Sequence, residues 1–376
     1  MNRKRITYLD MAKGIGIILV VLGHSQLITD HMYNALASFH MPLFFVISGM
    51  LIQHIGEEQK DMKTIVKRKL KTLMLPYLTF SLSYFIVYGT YHFMHPEVVD
   101  MVFLEKMLIH FLSFYGISVL WFLPTLFLGE LIFLAIRKHT THRVTIAFTL
   151  VTGCIAIAIA PVFQEQFWFH SMPLLIFSFL LMLITRSFIV GIFLCLGYYV
   201  KMFLKEHDKI SLPELGIGIV GLGITILVGI LNGTADLHFM VFCNVFLYFP
   251  CACLGSVALV LICKNVRQCK TLIFFGVNSL IIMATHMDWM LLKNAGAISM
   301  WVNQFITRAK DYCYWLGIIL LMLIAEVLII FVMNQYFYVF LGKKKPERRT
   351  FNIITYLRWQ WQEIGTQDSR SGDSMK

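Results

Sequence analysis

The sequence predicts an all-α, polytopic integral membrane protein, and three observations carry that prediction. Mean hydropathy is +0.72. Apolar residues make up 58% of the 376 positions and charged residues only 14%, too little polar surface for a water-soluble chain of this length. The apolar residues fall in long runs between short charged segments, the pattern of helices that cross about 30 Å of hydrocarbon. A large water-soluble α/β enzyme is excluded.

The first run, 14–30, follows "MNRKRITYLDMAKG". It lacks a small-residue cleavage site and a second run follows closely, so it reads as a retained span and not a signal peptide. Further runs lie at 37–54, 73–92, 118–136, 144–161, 187–203, 214–232, 239–262, 271–292 and 314–341, which makes about ten transmembrane helices. Another run, 171–184, is short and ends at Thr185 and Arg186.

Charge decides how that extra run is read. Arg3, Lys4 and Arg5, then "KDMKTIVKRKLK", "RKHTTHR", "KMFLKEHDK", "CKNVRQCK" and "GKKKPERR" supply most of a net charge of +11. If all of them face the cytoplasm, the ten spans alternate consistently and both termini are cytoplasmic, as in a multi-pass cell-membrane protein. Counting 171–184 as a full span would put the tail on the opposite side, so it is expected to be a short re-entrant or interfacial helix, shielded by protein. The positive excess then orients the chain in the lipid bilayer, and no nucleic acid partner is expected. Residues 1–342 form the integral membrane domain. Residues 343–376 form a basic, partly disordered cytoplasmic tail, whose "FNIITYLRWQW" can lie along the inner membrane surface.

The eight cysteines form no CxxC pair and no Cys/His cluster with zinc spacing, so they read as small buried hydrophobes and no metal site is expected.

Ionisable groups inside the spans are the functional signal, because they are costly in hydrocarbon and face a bundle interior or an aqueous cavity. Eleven helical residues make about three turns, so Lys13 and His24 share a face about 16 Å apart, with Asp10 one turn below Lys13. Alone, His24 reads as a packing histidine and Lys13 as a snorkelling boundary lysine; together they point to one site. Asp10 either fixes Lys13 or Arg68 through a salt bridge or simply starts the helix. His40, in "SFHMPLFFVISGM", is either interfacial or part of an acceptor site. Arg68 and Lys71 lie one turn apart and can face one phosphate-bearing ligand, or anionic lipid. "FFGVNSLIIMATHMDWM" places Ser279 and His286 on one face, with His286 at a depth similar to His24, so two deep histidines suit proton handling. Glu130, in "LWFLPTLFLGELIF", is a further intramembrane carboxylate.

In this order, "YLDMAKGIGIILVVLGHS", "FHMPLFFVISGM", "VKRKLKTLMLPY", "LWFLPTLFLGEL" and "GVNSLIIMATHM" closely resemble the acyltransferase-3 membrane family, especially its fucose 4-O-acetylase-like branch. The resemblance covers about residues 6–341. It implies transfer of an acyl group, usually acetyl, from cytoplasmic acyl-CoA to a hydroxyl of a glycan or other acceptor at the outer face. The family's basic residue and histidine of the first helix fall on Lys13 and His24, with lysine where arginine is usual; the family's basic pair falls on Arg68 and Lys71.

The resulting expectation is a membrane O-acyltransferase with acetyl-CoA as donor substrate and no permanently bound cofactor. His24 is the base, His40, His286 and Asp10 assist, and Lys13, Arg68 and Lys71 hold the donor's phosphates. The alternative is a proton-coupled transporter or permease using His24, His286 and Glu130 as a relay. No inverted repeat or pair of broken helices supports it.

Overall fold

A computed structural model describes residues 5–25, 28–165, 172–205, 210–287, 311–346, 348 and 350–369. The chain is an all-α, polytopic membrane protein. Among the described residues eight helical runs are long and apolar enough to cross a membrane, from Thr7–His24 to Val245–Asn265. The other two expected spans do not reach that length there. The run 271–292 forms two short helices, α12 (Lys270–Val277) and α13 (Ser279–Thr285), and continues outside the described residues. The last, α14 (Asp311–Gln335), contributes the shorter apolar stretch Leu320–Gln335.

The first helices enclose the polar groups. Helix α1 (Thr7–His24) has Asp10 in its first turn, a favourable sign for the positive end of the helix dipole. The short α2 (Asp30–Ala37) is capped by Thr29, whose Oγ1 accepts from the Met32 N–H. Helix α3 (His40–Ile55) carries Pro42 in its first turn, where no backbone N–H is needed, and stops at Gly56, which takes the left-handed conformation at φ 58°.

Helix α4 (Met62–Lys69) runs through a π turn, Leu70–Met74, into α5 (Leu75–Met94). The cause is Pro76, which has no N–H for the Thr72 carbonyl and crowds it; a wider turn accommodates both. Helix α6 (Met101–Leu112) leads through a 3₁₀ turn, Ser118–Trp121, to α7 (Phe122–His139) and α8 (His142–Glu165).

Helix α9 (Met172–Phe203) corrects one expectation. The run 171–184 is not a separate re-entrant or interfacial helix, because it continues without a break into 187–203. No Gly or Pro interrupts it there, and Arg186, the charge that suggested a boundary, is fully buried. Its 32 residues span about 48 Å, longer than the hydrocarbon layer, so the helix projects beyond it. Helix α10 (Leu212–Asn232) and α11 (Val245–Asn265) flank a two-residue antiparallel pair, β1 (Ala235–Asp236) with β2 (Val241–Phe242).

Two crossings fix the bundle. A Cβ on Gly14 of α1 would overlap the Leu272 carbonyl on α12, and one on Gly276 would overlap that of Asp10. Gly49 of α3 and Gly197 of α9 make the same mutual approach through Leu194 and Val46. Small residues let backbones touch where lipid supplies no hydrophobic drive between helices. By contrast α8 and α10 bury only 22% of their spans and present Phe148, Ile155, Ile219 and Leu227 outward, as peripheral helices in lipid do.

The segment after residue 342 folds back on the bundle. Helix α15 (Ile353–Ser369) buries Tyr356 and Ile364 and leaves Phe351, just before it, and Ile354 and Trp361 exposed.

Candidate active site

Helix α1 puts Lys13 and His24 on two neighbouring cavities. An apolar cavity of about 160 Å³ is lined by Lys13, Ile17, Phe44, Ser48, Met41 and Ser279, among others. A second, of about 290 Å³, is lined by His24, His40, Met41, Trp121, Asp236 and His238. Met41 lines both, so a single side chain lies between the Lys13 cavity and the His24 cavity. Asp10 is nearly buried at the foot of α1: its carboxylate takes Lys13 Nζ at 2.7 Å and also pairs with Arg5. Asp10 therefore positions two cations and stands away from the histidines along α1.

The histidines converge. The rings of His24 and His286 lie 5.3 Å apart at 43°. His286 Nδ1 is 2.9 Å from the carbonyl oxygens of both Ile282 and Met283. Carbonyls only accept, so Nδ1 carries the proton and Nε2, buried without a hydrogen-bond partner among the described residues, is left as an acceptor. His40 Nδ1 likewise donates to the Leu36 carbonyl at 2.6 Å, which leaves its Nε2 as the basic nitrogen.

Behind His286 stands Glu326 of α14, fully buried, with both carboxyl oxygens 2.9 Å from Thr285 Oγ1. Thr285 Oγ1 also reaches the Ile281 carbonyl at 2.8 Å, and Tyr84 OH donates to the Ala284 carbonyl at 2.6 Å. These bonds anchor the end of α13 that carries His286. Sequence reading missed Glu326, although a lone carboxylate in "LMLIAEVLII" was the signal.

The basic pair after the second span is arranged differently from the sequence expectation. Arg68 pairs with Glu57, and Lys71 is exposed. Lys69 turns inward instead, 2.6 Å from Glu130 and 3.3 Å from Glu57. The π turn begins at Leu70 and takes in Lys71, whereas Arg68 and Lys69 lie in α4 before it. Ser48, on the apolar cavity, donates to Glu130. Two cations and two carboxylates make this network self-neutralising, and neither Arg68 nor Lys71 lines either cavity.

Arg186 was read only as the end of an apolar run; in the structure it holds Trp121 and His238, which line the second cavity. Its guanidinium donates to Thr125 Oγ1 at 2.8 Å, to the His238 carbonyl at 3.0 Å and to the Tyr115 carbonyl at 2.9 Å. It also lies over the rings of Trp121 and Tyr115. The His238 ring stacks on Trp121 at 5.2 Å, and Asp236 Oδ1 accepts the His238 N–H at 2.7 Å. Burial, and then the Arg186 charge, hold the His238 imidazole well below the usual histidine range, so it is neutral. Among the described residues no group of three or more His, Cys, Asp or Glu side chains is placed to hold a metal.

Comparison with known families gives one match: the model described as Acyltransferase domain, of the acyltransferase-3 type, covers residues 6–333. No curated protein and no solved structure matches the chain. The match takes in α1 to α13 and most of α14, and with them every histidine of the cluster. The chain belongs to the acyltransferase-3 family of membrane acyltransferases.

Proposed function

We propose that the protein is a membrane O-acyltransferase that moves an acetyl group from cytoplasmic acetyl-CoA to a sugar hydroxyl of an exported or cell-surface glycan. The observation that carries this reading is the pair of cavities on either side of Met41, with Lys13 on one and His24, in ring contact with His286, on the other. In this reading the basic segments face the cytoplasm, which puts the Lys13 end inside and the His24 end outside.

In this reading the thioester arm of the donor lies in the apolar cavity, which also keeps water from the thioester. The acceptor enters from the outer cavity. His24 removes the proton from its hydroxyl as the oxygen attacks the thioester carbonyl. The C–S bond then breaks, the thiolate of CoA leaves, and the proton held by His24 passes to it. His286, held by two carbonyls, keeps the His24 ring in place and offers Nε2 as a second acceptor. His40 orients the acceptor. Lys13, with Asp10 and Arg5, guides the phosphates of the donor at the inner mouth. Arg68 and Lys71 serve less directly, since Glu57 already takes the Arg68 charge.

Reconstitution in liposomes tests the reading against a transporter. The purified protein should modify a glycan acceptor only with acetyl-CoA present. Movement of a solute without acetyl-CoA, and no modification with it, would overturn the proposal.

A further inference from the structure

The stretch from Gln335 to Glu363 lies beyond the family match and builds a cavity of its own at the Lys13 end. It has two lobes. One, of about 240 Å³, is lined by Arg5, Asn278, Asn334, Lys343 and Lys344. The other, of about 610 Å³, is lined by Lys345, Arg348, Trp359 and Gln362, and falls within the range of small-molecule pockets, about 300–1,000 Å³. The lobes share Gln335, Pro346, Tyr356, Gln360 and Glu363.

We propose that this two-lobed cavity is a nucleotide diphosphate site, which holds the 3′-phosphoadenosine diphosphate end of the acyl donor. The inference rests on the acyl-CoA reading given above. Charge is the first support. Lys343, Lys344, Lys345 and Arg348 have no carboxylate partner among the described residues, whereas Lys69 and Arg68 are fully matched by Glu57 and Glu130. A matched set holds a fold together; a set of cations that outnumbers Glu363, the one carboxylate among the described residues on this cavity, calls for an anion. Arg5 and Lys13 lie close enough to act on the Lys343 charge and add to the same field.

Built walls are the second support. Asn334 Nδ2 donates to Asn278 Oδ1 at 2.8 Å and to Tyr356 OH at 3.2 Å, and Lys343 Nζ donates to Asn334 Oδ1 at 2.6 Å. The Arg348 guanidinium lies 5.7 Å from the centre of the Trp359 ring, and together they offer an aromatic face and a cation, the pair that suits a purine and a phosphate.

Continuity is the third. Asn278 lines the smaller lobe and its neighbour Ser279 lines the apolar cavity. Arg5 and Lys13, on the two cavities, share Asp10. A donor with its diphosphate on Lys343 and Lys344 can therefore send its thioester arm past Lys13 towards His24.

The test uses the full chain in nanodiscs of phosphatidylcholine, with 3′-phosphoadenosine 5′-diphosphate as the probe. Wild type should bind it in competition with acetyl-CoA. Lys344→Glu and Trp359→Ala should each raise its Kd at least tenfold, and Trp359→Phe should restore most of the affinity. Unchanged Kd values in both variants would overturn the site. So would loss of binding in nanodiscs containing phosphatidylglycerol, which would make the cavity a lipid-headgroup site. Acetyl transfer with an unchanged KM for acetyl-CoA in both variants leaves the acyltransferase reading standing and sinks this one. Probe binding with the expected variant dependence, but no transfer, does the reverse.

Discussion

The rings of His24 and His286 lie 5.3 Å apart, although 262 positions separate them in the chain. The contact exists because α1 and α12 cross at Gly14 and Gly276, where neither backbone could approach past a side chain. The His24 imidazole lines the second cavity and that of His286 is held beside it by two carbonyls.

His24→Ala is expected to lower acyl transfer by about 10²–10⁴-fold, the range for loss of a general base, with membrane abundance near wild type. His286→Ala should cost less, because it positions His24 and does not itself meet the acceptor. Rates and abundance measured together check both variants; an active His24→Ala protein contradicts the assignment.

The crossing glycines should differ sharply from glycines that face open space. Gly276→Val forces a side chain into the Asp10 carbonyl and is expected to cost at least about 1–3 kcal/mol, together with activity. Gly223→Ala in α10 meets nothing within 4 Å and should be neutral or stabilising by about 0.5–1 kcal/mol. Thermal melting in detergent compares them.

Lys69→Met removes the cation shared by Glu57 and Glu130, leaves buried carboxylate charge unmatched, and should destabilise by about 3–5 kcal/mol. Lys71→Ala, on an exposed side chain, should stay within about 0.5 kcal/mol. Equal melting shifts would contradict the inward placement of Lys69.

Crowding by neighbouring protein atoms, then the nearby charges of Arg5 and Lys13, bring the Lys343 ammonium down to about 8 although its side chain keeps an exposed surface. Lys344 faces the same lobe with its own positive charge, and Glu363 and Tyr356 of α15 face it from the opposite wall. A lysine with a lowered pKa is charged below that value and neutral above it, and only the charged form attracts a phosphate. The KM for acetyl-CoA should therefore rise as pH passes upward through about 8, and Lys343→Arg should flatten the rise. A KM that falls over that interval contradicts the placement.

The shared face of Lys13 and His24 was legible because helical period is a local property, and so was the depth of His286. The pairing of Arg68 with Glu57 and the inward turn of Lys69 to Glu130 were not legible, because those carboxylates come from other segments that no local period reveals. The 171–184 run was separated from α9 because Arg186 looked like a boundary; its three hydrogen bonds come from segments far away in sequence, which no local pattern reveals. The same holds for Glu326, whose partner Thr285 lies on another helix, and for the tail, whose basic composition gave no sign that Tyr356 would be buried.

Mass spectrometry of surface glycans from cells carrying either the wild-type protein or His24→Ala at equal abundance tests the central claim most directly. The account predicts that the acetyl mass increment is present with wild type and absent with the variant. Equal acetylation in both would contradict it.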